Sequence, residues 1–132
     1  MDNRRVKELF EDAKLLYDQA MAEFERGSLR DAAEKAWGGT LVATNALILA
    51  RTGREIEGAR GTTKEFLKLA SEDKEVDEKL RGRYFTKESF LHGHCFYMGV
   101  CEPIEQVERW IKETLQYIED AKNLAGGAER ER

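Results

Sequence analysis

The residues of this chain that could do chemistry crowd into one short stretch, SFLHGHCFYMGVCEP at residues 89–103. It holds both histidines, both cysteines and the only proline. Zinc needs four ligands in a tetrahedron, or three and a water. On a helix His92 and Cys95 share a face, whereas His94 points elsewhere. Because paired CxxC motifs are absent, the metal candidates His92, Cys95 and Cys101 are weak, and buried cysteines beside a hydrogen-bonded histidine are favoured.

Nucleophilic or acid–base catalysis is a second use of the same stretch. Cys95 has His92 one turn away, yet a cysteine on an apolar helix face is usually buried and inert. A histidine can instead act as a general acid or base if a cation beside it steadies phosphate charge. The catalytic candidates on this interpretation are His92, His94, Arg83 and Lys87.

The same part of the chain carries its only concentration of basic and aromatic side chains. Such mixtures can hold phosphate and stack a nucleic-acid base. The candidate ligand-binding residues are Arg81, Arg83, Tyr84, Lys87 and His92. The alternative is an amphipathic helix with an apolar stripe and ordinary surface arginines, and the pattern favours that alternative.

Composition limits the classes of function. The chain has 132 residues, 36% of them charged, and a formal net charge of -4. A duplex nucleic-acid binder usually has a basic face, so the acidity here is better explained as a source of solubility. No apolar segment follows Met1 and no run of 18 apolar residues occurs, which predicts a cytoplasmic protein without a signal peptide or a membrane span. The many Glu, Lys and Arg residues are typical of a thermophile.

Apolar periodicity predicts the helices that must position these residues. The first covers about residues 2–26. The second ends at Gly53 and is apolar over more than one face, so it must be buried against more than one neighbour. Ser28 is expected to cap it, with an acidic residue three positions later. Gly38 and Gly39 each cost this helix about 1 kcal/mol, which the close approach of another helix would explain.

Three further helices follow. A loop at residues 53–61 leads to a short helix that a capping box of Thr62 and Glu65 opens. A fourth helix is expected over residues 73–98, with a polar middle that bends or frays. Pro103 is expected as the first residue of the last helix, where a missing N–H is harmless.

The predicted fold class is therefore all-α, an antiparallel bundle of four long helices plus one short helix. Residues 1–125 are expected to form a single helical-bundle domain, and residues 126–132 a frayed, charged C-terminal tail. The apolar girth of the second helix exceeds what one small bundle easily covers, which predicts a homodimer.

Two stretches of the chain resemble the HEPN superfamily, the helical bundles of prokaryotic nucleotide-associated and toxin–antitoxin systems. They are DAAEKAWGGTLVATNALI (31–48) and FLHGHCFYMGVCEPIEQVERWIKETLQYIEDA (90–121), and they look most like its archaeal PaREP-type branch. The shared features are an alanine-rich helix with a Trp, and a later helix that ends in Leu-His and an aromatic pair. In this chain those residues are Trp37, Leu91, His92, Phe96 and Tyr97. The resemblance spans most of residues 1–124 and implies a HEPN-like bundle.

The resemblance also bears on activity. Many HEPN proteins are metal-independent ribonucleases in which an arginine, four to six further residues and a histidine stand at a dimer interface. That spacing is absent here, because Arg83 stands nine residues before His92 and Lys87 can replace only the charge of an arginine.

We therefore expect a non-catalytic HEPN-like binding or interaction module without a cofactor, whose partner is a nucleotide, an RNA or a protein. One alternative is a metal-independent ribonuclease that uses a histidine of the fourth helix as general acid or base. A weaker alternative is a metal-binding protein.

Overall fold

The computed structural model describes the backbone of residues 3–130 and the side chains of residues 3–126. This part of the chain forms five helices and no strand, which confirms the prediction of an all-α fold. None of these helices has an apolar stretch long enough to cross a membrane. The helices are α1 (Asn3–Glu25), α2 (Leu29–Thr52), α3 (Ala59–Glu72), α4 (residues 74–97) and α5 (Ile104–Arg130).

The predicted domain boundary falls inside α5. The backbone of that helix reaches Arg130. The side chains of residues 127–130, and residues 131–132 altogether, lie outside the described part. The division into a domain of residues 1–125 and a frayed tail of residues 126–132 therefore stays a prediction.

Helices α1 and α2 pack closely because α2 presents glycine where they meet. A Cβ atom on Gly39 would lie 3.2 Å from the carbonyl oxygen of Ala13. A Cβ atom on Gly38 would meet only the side chain of Leu16, at 3.6 Å. The close approach that the glycine pair predicts is thus real, and it occurs at Gly39.

Helix α2 lies at the centre of the fold and contacts all four other helices. The apolar faces of α2 are buried by the other helices of the same chain, since none of the exposed large apolar side chains of the described part lies on α2. The argument that α2 needs a second subunit is therefore wrong, and the homodimer itself stays a prediction. The buried residues of α2 are Ala32, Ala33, Ala36, Trp37, Gly39, Thr40, Ala43, Thr44, Ala46, Leu47, Ile48 and Leu49.

The helix ends differ from the predicted capping pattern. The side chain of Ser28 makes no capping hydrogen bond, so that prediction is wrong. The capping box of Thr62 and Glu65 is wrong as well, because α3 begins three residues earlier and the Thr62 hydroxyl donates to Asn45 Oδ1 at 2.6 Å. The carboxylate of Asp73 instead caps α4 by accepting two backbone N–H bonds of its first turn.

Helix α4 is continuous but changes its pitch. Its turns are π-helical at Asp77–Arg81 and Glu88–Tyr97, and α-helical at Gly82–Lys87. The predicted middle does not fray, because it is helical throughout and Tyr84 and Lys87 there are completely buried. The alternative, a bend, stays a prediction. A π-helical turn holds more residues than an α-helical one, so side chains beyond it rotate about the axis relative to the α-helical pattern.

A disulfide joins the end of α4 to the turn before α5. The sulfur atoms of Cys95 and Cys101 are 2.07 Å apart, so the two cysteines are not thiols as expected, although Cys95 is completely buried as predicted. The turn reverses at Gly99, whose φ of +74° is accessible to glycine but strained for other residues. Helix α5 begins at Ile104, one residue later than predicted, and the Pro103 carbonyl oxygen accepts the first hydrogen bonds of that helix.

The glycine pair of α2 gives a first testable prediction. Gly38→Ala should raise the free energy of unfolding by up to about 1 kcal/mol, because alanine favours a helix and the added methyl has room. Gly39→Ala should be less stable than Gly38→Ala by a similar amount, because its methyl would crowd the backbone of α1. Urea denaturation of the two variants checks this, and equal stability would show that the helices are not held at this distance.

The disulfide gives a second prediction. Closing the loop from Cys95 to Cys101 should stabilise the fold by about 2 kcal/mol through the reduced entropy of the unfolded chain. Denaturation with and without a thiol reductant should show this loss for the wild type. Cys101→Ala should match the reduced wild type and should not respond to the reductant; a response would mean that the reductant acts elsewhere.

Candidate functional site

Two cations of α4 are turned inward, toward α5. Lys87 is completely buried, and its Nζ donates to Glu113 Oε1 at 2.6 Å. Arg83 donates from Nε to Glu113 Oε2 at 2.5 Å and from Nη1 to Asp120 Oδ2 at 2.8 Å. Arg83, Lys87, Glu113 and Asp120 form the α4–α5 ion cluster.

A tyrosine completes this cluster from the core side. The ring centroid of Tyr117 lies 4.1 Å from Lys87 Nζ and 5.4 Å from Arg83 Cζ, within the range of cation–π attraction. The Thr44 hydroxyl donates to the Thr40 carbonyl oxygen at 2.8 Å. The Tyr117 hydroxyl, 2.6 Å from that of Thr44, is therefore the donor between the two. The cluster is thus anchored to α2 through a buried hydrogen-bond chain.

Burial changes the proton affinity of these groups. Burial lowers the pKa of Lys87 to about 8, although Glu113 opposes the shift by favouring the charged form. Burial also raises the pKa of Tyr117 well above its usual range. At neutral pH Lys87 therefore remains mostly an ammonium group, paired inside the protein.

The predicted ligand-binding residues are not brought together. Arg83 and Lys87 reach α5, as described. Tyr84 is buried, shares a 2.7 Å hydrogen bond with Thr63, and has its pKa raised to about 12 by burial. Arg81 is exposed and pairs with Asp77 one turn earlier. Only His92 remains, and it belongs to another surface.

His92 sits in an aromatic cluster on the α2 side of α4. Its Nδ1 donates to Glu34 Oε1 at 2.7 Å, and its side chain is about one-third exposed. Its ring stacks on Phe96 at a centroid distance of 6.0 Å and meets Tyr97 edge-on at 5.2 Å. The ring of Trp37 also belongs to the cluster, with its centroid 6.0 Å from that of His92. A carboxylate that fixes one ring nitrogen is the usual way to orient a histidine for acid–base work.

The other chemical candidates are separated from His92 in different ways. His94 is exposed. Arg83 and Lys87, the cations of the ribonuclease hypothesis, contact α5, whereas His92 contacts α2. Cys95 and Cys101 are bonded to each other and cannot serve as thiolate ligands or nucleophiles in this form. Within the described residues no three metal-binding side chains come together.

An exposed apolar surface lies where α4 ends. We call it the tip, and define it as Tyr97 and Met98 (both 69% exposed), Val100 (44%) and Ile104 (48%). The Arg30 side chain of α2 holds it in place by donating to the carbonyl oxygens of Phe96 and Tyr97, at 2.8 and 3.2 Å. The sequence analysis missed the tip, although four large apolar residues within eight positions around Gly99 and Pro103 were a signal for it.

The buried lysine gives a third prediction. Unfolded, Lys87 binds its proton up to about pH 10.5, but the folded protein releases it from about pH 8. Stability should therefore rise through this window, by about 2 kcal/mol between pH 8 and pH 10. The free energy of unfolding of the wild type is compared with that of Lys87→Met at each pH by urea denaturation, so that the contributions of the other titrating groups cancel. Lys79→Met, on the same helix but exposed, should show no such rise; a flat difference for Lys87→Met would contradict the burial.

Comparison of the chain with protein-family models, with curated proteins and with solved structures finds no match in any of the three. The resemblance to HEPN bundles therefore stays a prediction, and function has to be argued from the contacts above.

Proposed function

We propose that the protein is a non-catalytic, HEPN-like helical module that binds another protein at the tip. The observation that carries the proposal is the exposure of Tyr97, Met98, Val100 and Ile104 within eight positions of the chain, around the turn that the disulfide closes. Exposed apolar groups of this kind, rimmed by polar residues, are typical of protein–protein contact sites. Aromatic residues and methionine are also the types that such sites favour.

The state of the predicted ligand-binding residues supports a protein partner over a nucleotide or an RNA. Phosphate binding needs cations that are free to meet the ligand. Arg83 and Lys87 are engaged with carboxylates of α5, and Arg81 is paired with Asp77. Tyr84, the candidate for base stacking, is buried. A phosphate would have to displace the α4–α5 ion cluster before it could bind these residues.

A ribonuclease is the second candidate, and one observation favours it. The pair of His92 and Glu34 fixes Nδ1 as a donor and leaves Nε2 of a partly exposed ring as the group that could exchange a proton. The cations that would steady phosphate charge face α5 instead.

The two candidates differ in a cleavage assay, which is our fourth prediction. Labelled single-stranded RNA should stay intact with the wild-type protein, because Arg83 and Lys87, the cations of the ribonuclease hypothesis, contact α5 rather than His92. Cleavage that disappears in His92→Ala and persists in His94→Ala would overturn the proposal in favour of the ribonuclease.

Protein binding at the tip is tested by site-specific crosslinking, our fifth prediction. Tyr97→benzoylphenylalanine should give one discrete adduct with a protein in cells of the source organism. Leu67→benzoylphenylalanine, at an exposed apolar residue of α3, should not give that adduct. The captured protein, purified and identified, should bind the wild type and lose about tenfold in affinity for Tyr97→Ser. The same adduct from both positions, or none from position 97, would contradict binding at the tip.

A further inference from the structure

Two exposed carboxyl groups stand next to the tip in the chain. Glu102 and Glu105 flank Ile104 in the chain and are exposed. Neither forms an ion pair with any residue that the structure describes. Glu105 also lies in the first turn of α5, where the helix dipole stabilises a negative charge. Both carboxyl groups are thus exposed to solvent close in the chain to the apolar side chains of the tip.

An acidic depression lies beside Phe96, the residue that precedes Tyr97 of the tip. It is lined by Glu23, Asp31, Glu34, Lys35 and Phe96. The Phe96 ring packs edge-on against that of Tyr97, with centroids 5.7 Å apart, so depression and tip share a wall. Two of its carboxylates already have partners, because Glu23 pairs with Arg26 and Glu34 with His92.

The remaining carboxylate of the depression is free to meet a ligand. Asp31 is exposed and has no ion pair within the described part of the chain. Around the tip and the depression, basic side chains are fewer than acidic ones. Lys35 is the only basic side chain lining the depression. Arg30 keeps its positive charge while it donates to the carbonyl oxygens of Phe96 and Tyr97. Tip and depression together form an apolar surface with a predominantly negative border.

We propose that this surface binds a basic, amphipathic segment of the partner protein. Apolar side chains of the segment cover Tyr97, Met98, Val100 and Ile104, and its lysines or arginines meet Asp31, Glu102 and Glu105. The inference rests on the proposed function and deepens it by naming the chemistry of the partner. Complementary charge around an apolar centre orients the partner and disfavours acidic segments.

The test uses two synthetic peptides of equal length and the full chain. Both carry leucine at helical spacing (i, i+3, i+4, i+7); the remaining positions are lysine in one and glutamate in the other. Fluorescence anisotropy should show that the lysine peptide binds at least about tenfold more tightly than the glutamate peptide. Its affinity should fall as salt rises, because the charged border is exposed to solvent.

Variants locate the binding. Met98→Ser should weaken binding of the lysine peptide about tenfold, and Asp31→Asn combined with Glu102→Gln should weaken it and flatten its salt dependence. Leu67→Ser and Glu72→Gln, an exposed apolar and an exposed acidic residue of α3, should change neither. Retained folding is checked by circular dichroism for each variant.

The outcomes separate the two proposals. If crosslinking from position 97 captures a partner but both peptides bind alike, or if the α3 variants weaken binding as much as the tip variants, the inference about a basic segment is overturned alone. A crosslink from position 97 to a second copy of this chain, or to RNA, overturns it as well. If no adduct forms at all, the proposed function fails first.

Discussion

Small side chains along α2 let other helices lie against it on several sides at once, and the positions of those helices follow from this. At Gly39 the backbone of α1 and the side chain of Thr114 in α5 both come within contact distance of the missing Cβ. Larger residues of α2 then fix each neighbour in one place. The contacts are Arg30 with the end of α4, Glu34 with His92, Trp37 with Tyr84, Thr44 with Tyr117, Asn45 with Thr62, and Arg51 with Asp73.

The α4–α5 ion cluster shows how a structural requirement limits function. A buried ammonium group is costly unless a carboxylate and further polarisable groups surround it. Lys87 meets this condition with Glu113 and the ring of Tyr117. The pairing favours one register of α4 against α5, because a slide along the helix would leave the lysine in apolar surroundings. The same contacts engage Arg83 and Lys87 with carboxylates of α5, so a phosphate ligand could not reach them without displacing those carboxylates.

The existence of the helices could be predicted from the sequence, because apolar residues recur at helical spacing and glycine stands at several ends. The orientation of charged residues could not. The segment RGRYFTKES reads as a polar surface by composition, yet Lys87 is buried because its counter-charge stands 26 positions later in the chain. Periodicity describes a helix by itself and contains no information on which acidic residue a distant helix will bring.

The candidate site was predicted only in part, for similar reasons. The sequence singled out the stretch that contains the tip, but for its histidines and cysteines rather than for Tyr97 and Met98. Two cysteines six positions apart are compatible with free thiols or with a bond. Two cysteines are too few for a disulfide framework, so the pattern favoured buried cysteines that only pack. The π-helical turns, which decide where His92 and its aromatic neighbours face, have no recognised sequence signal in this chain.

The tip differs from the other exposed apolar residues, Leu15 and Leu67, because it gathers four large apolar side chains within eight positions of the chain, and its backbone is also held in place. The disulfide and the Arg30 side chain restrain its backbone, and three N–H groups, those of Met98, Gly99 and Val100, bond back to carbonyl oxygens of α4. A surface that is ordered before binding loses little conformational entropy when a partner arrives. Exposing apolar side chains to water does not stabilise the folded chain by itself. The disulfide, the Arg30 side chain and the backbone hydrogen bonds nevertheless hold the tip in an exposed position. Their combined effect is to keep one shape of an exposed apolar surface, which is the property that a docking site needs.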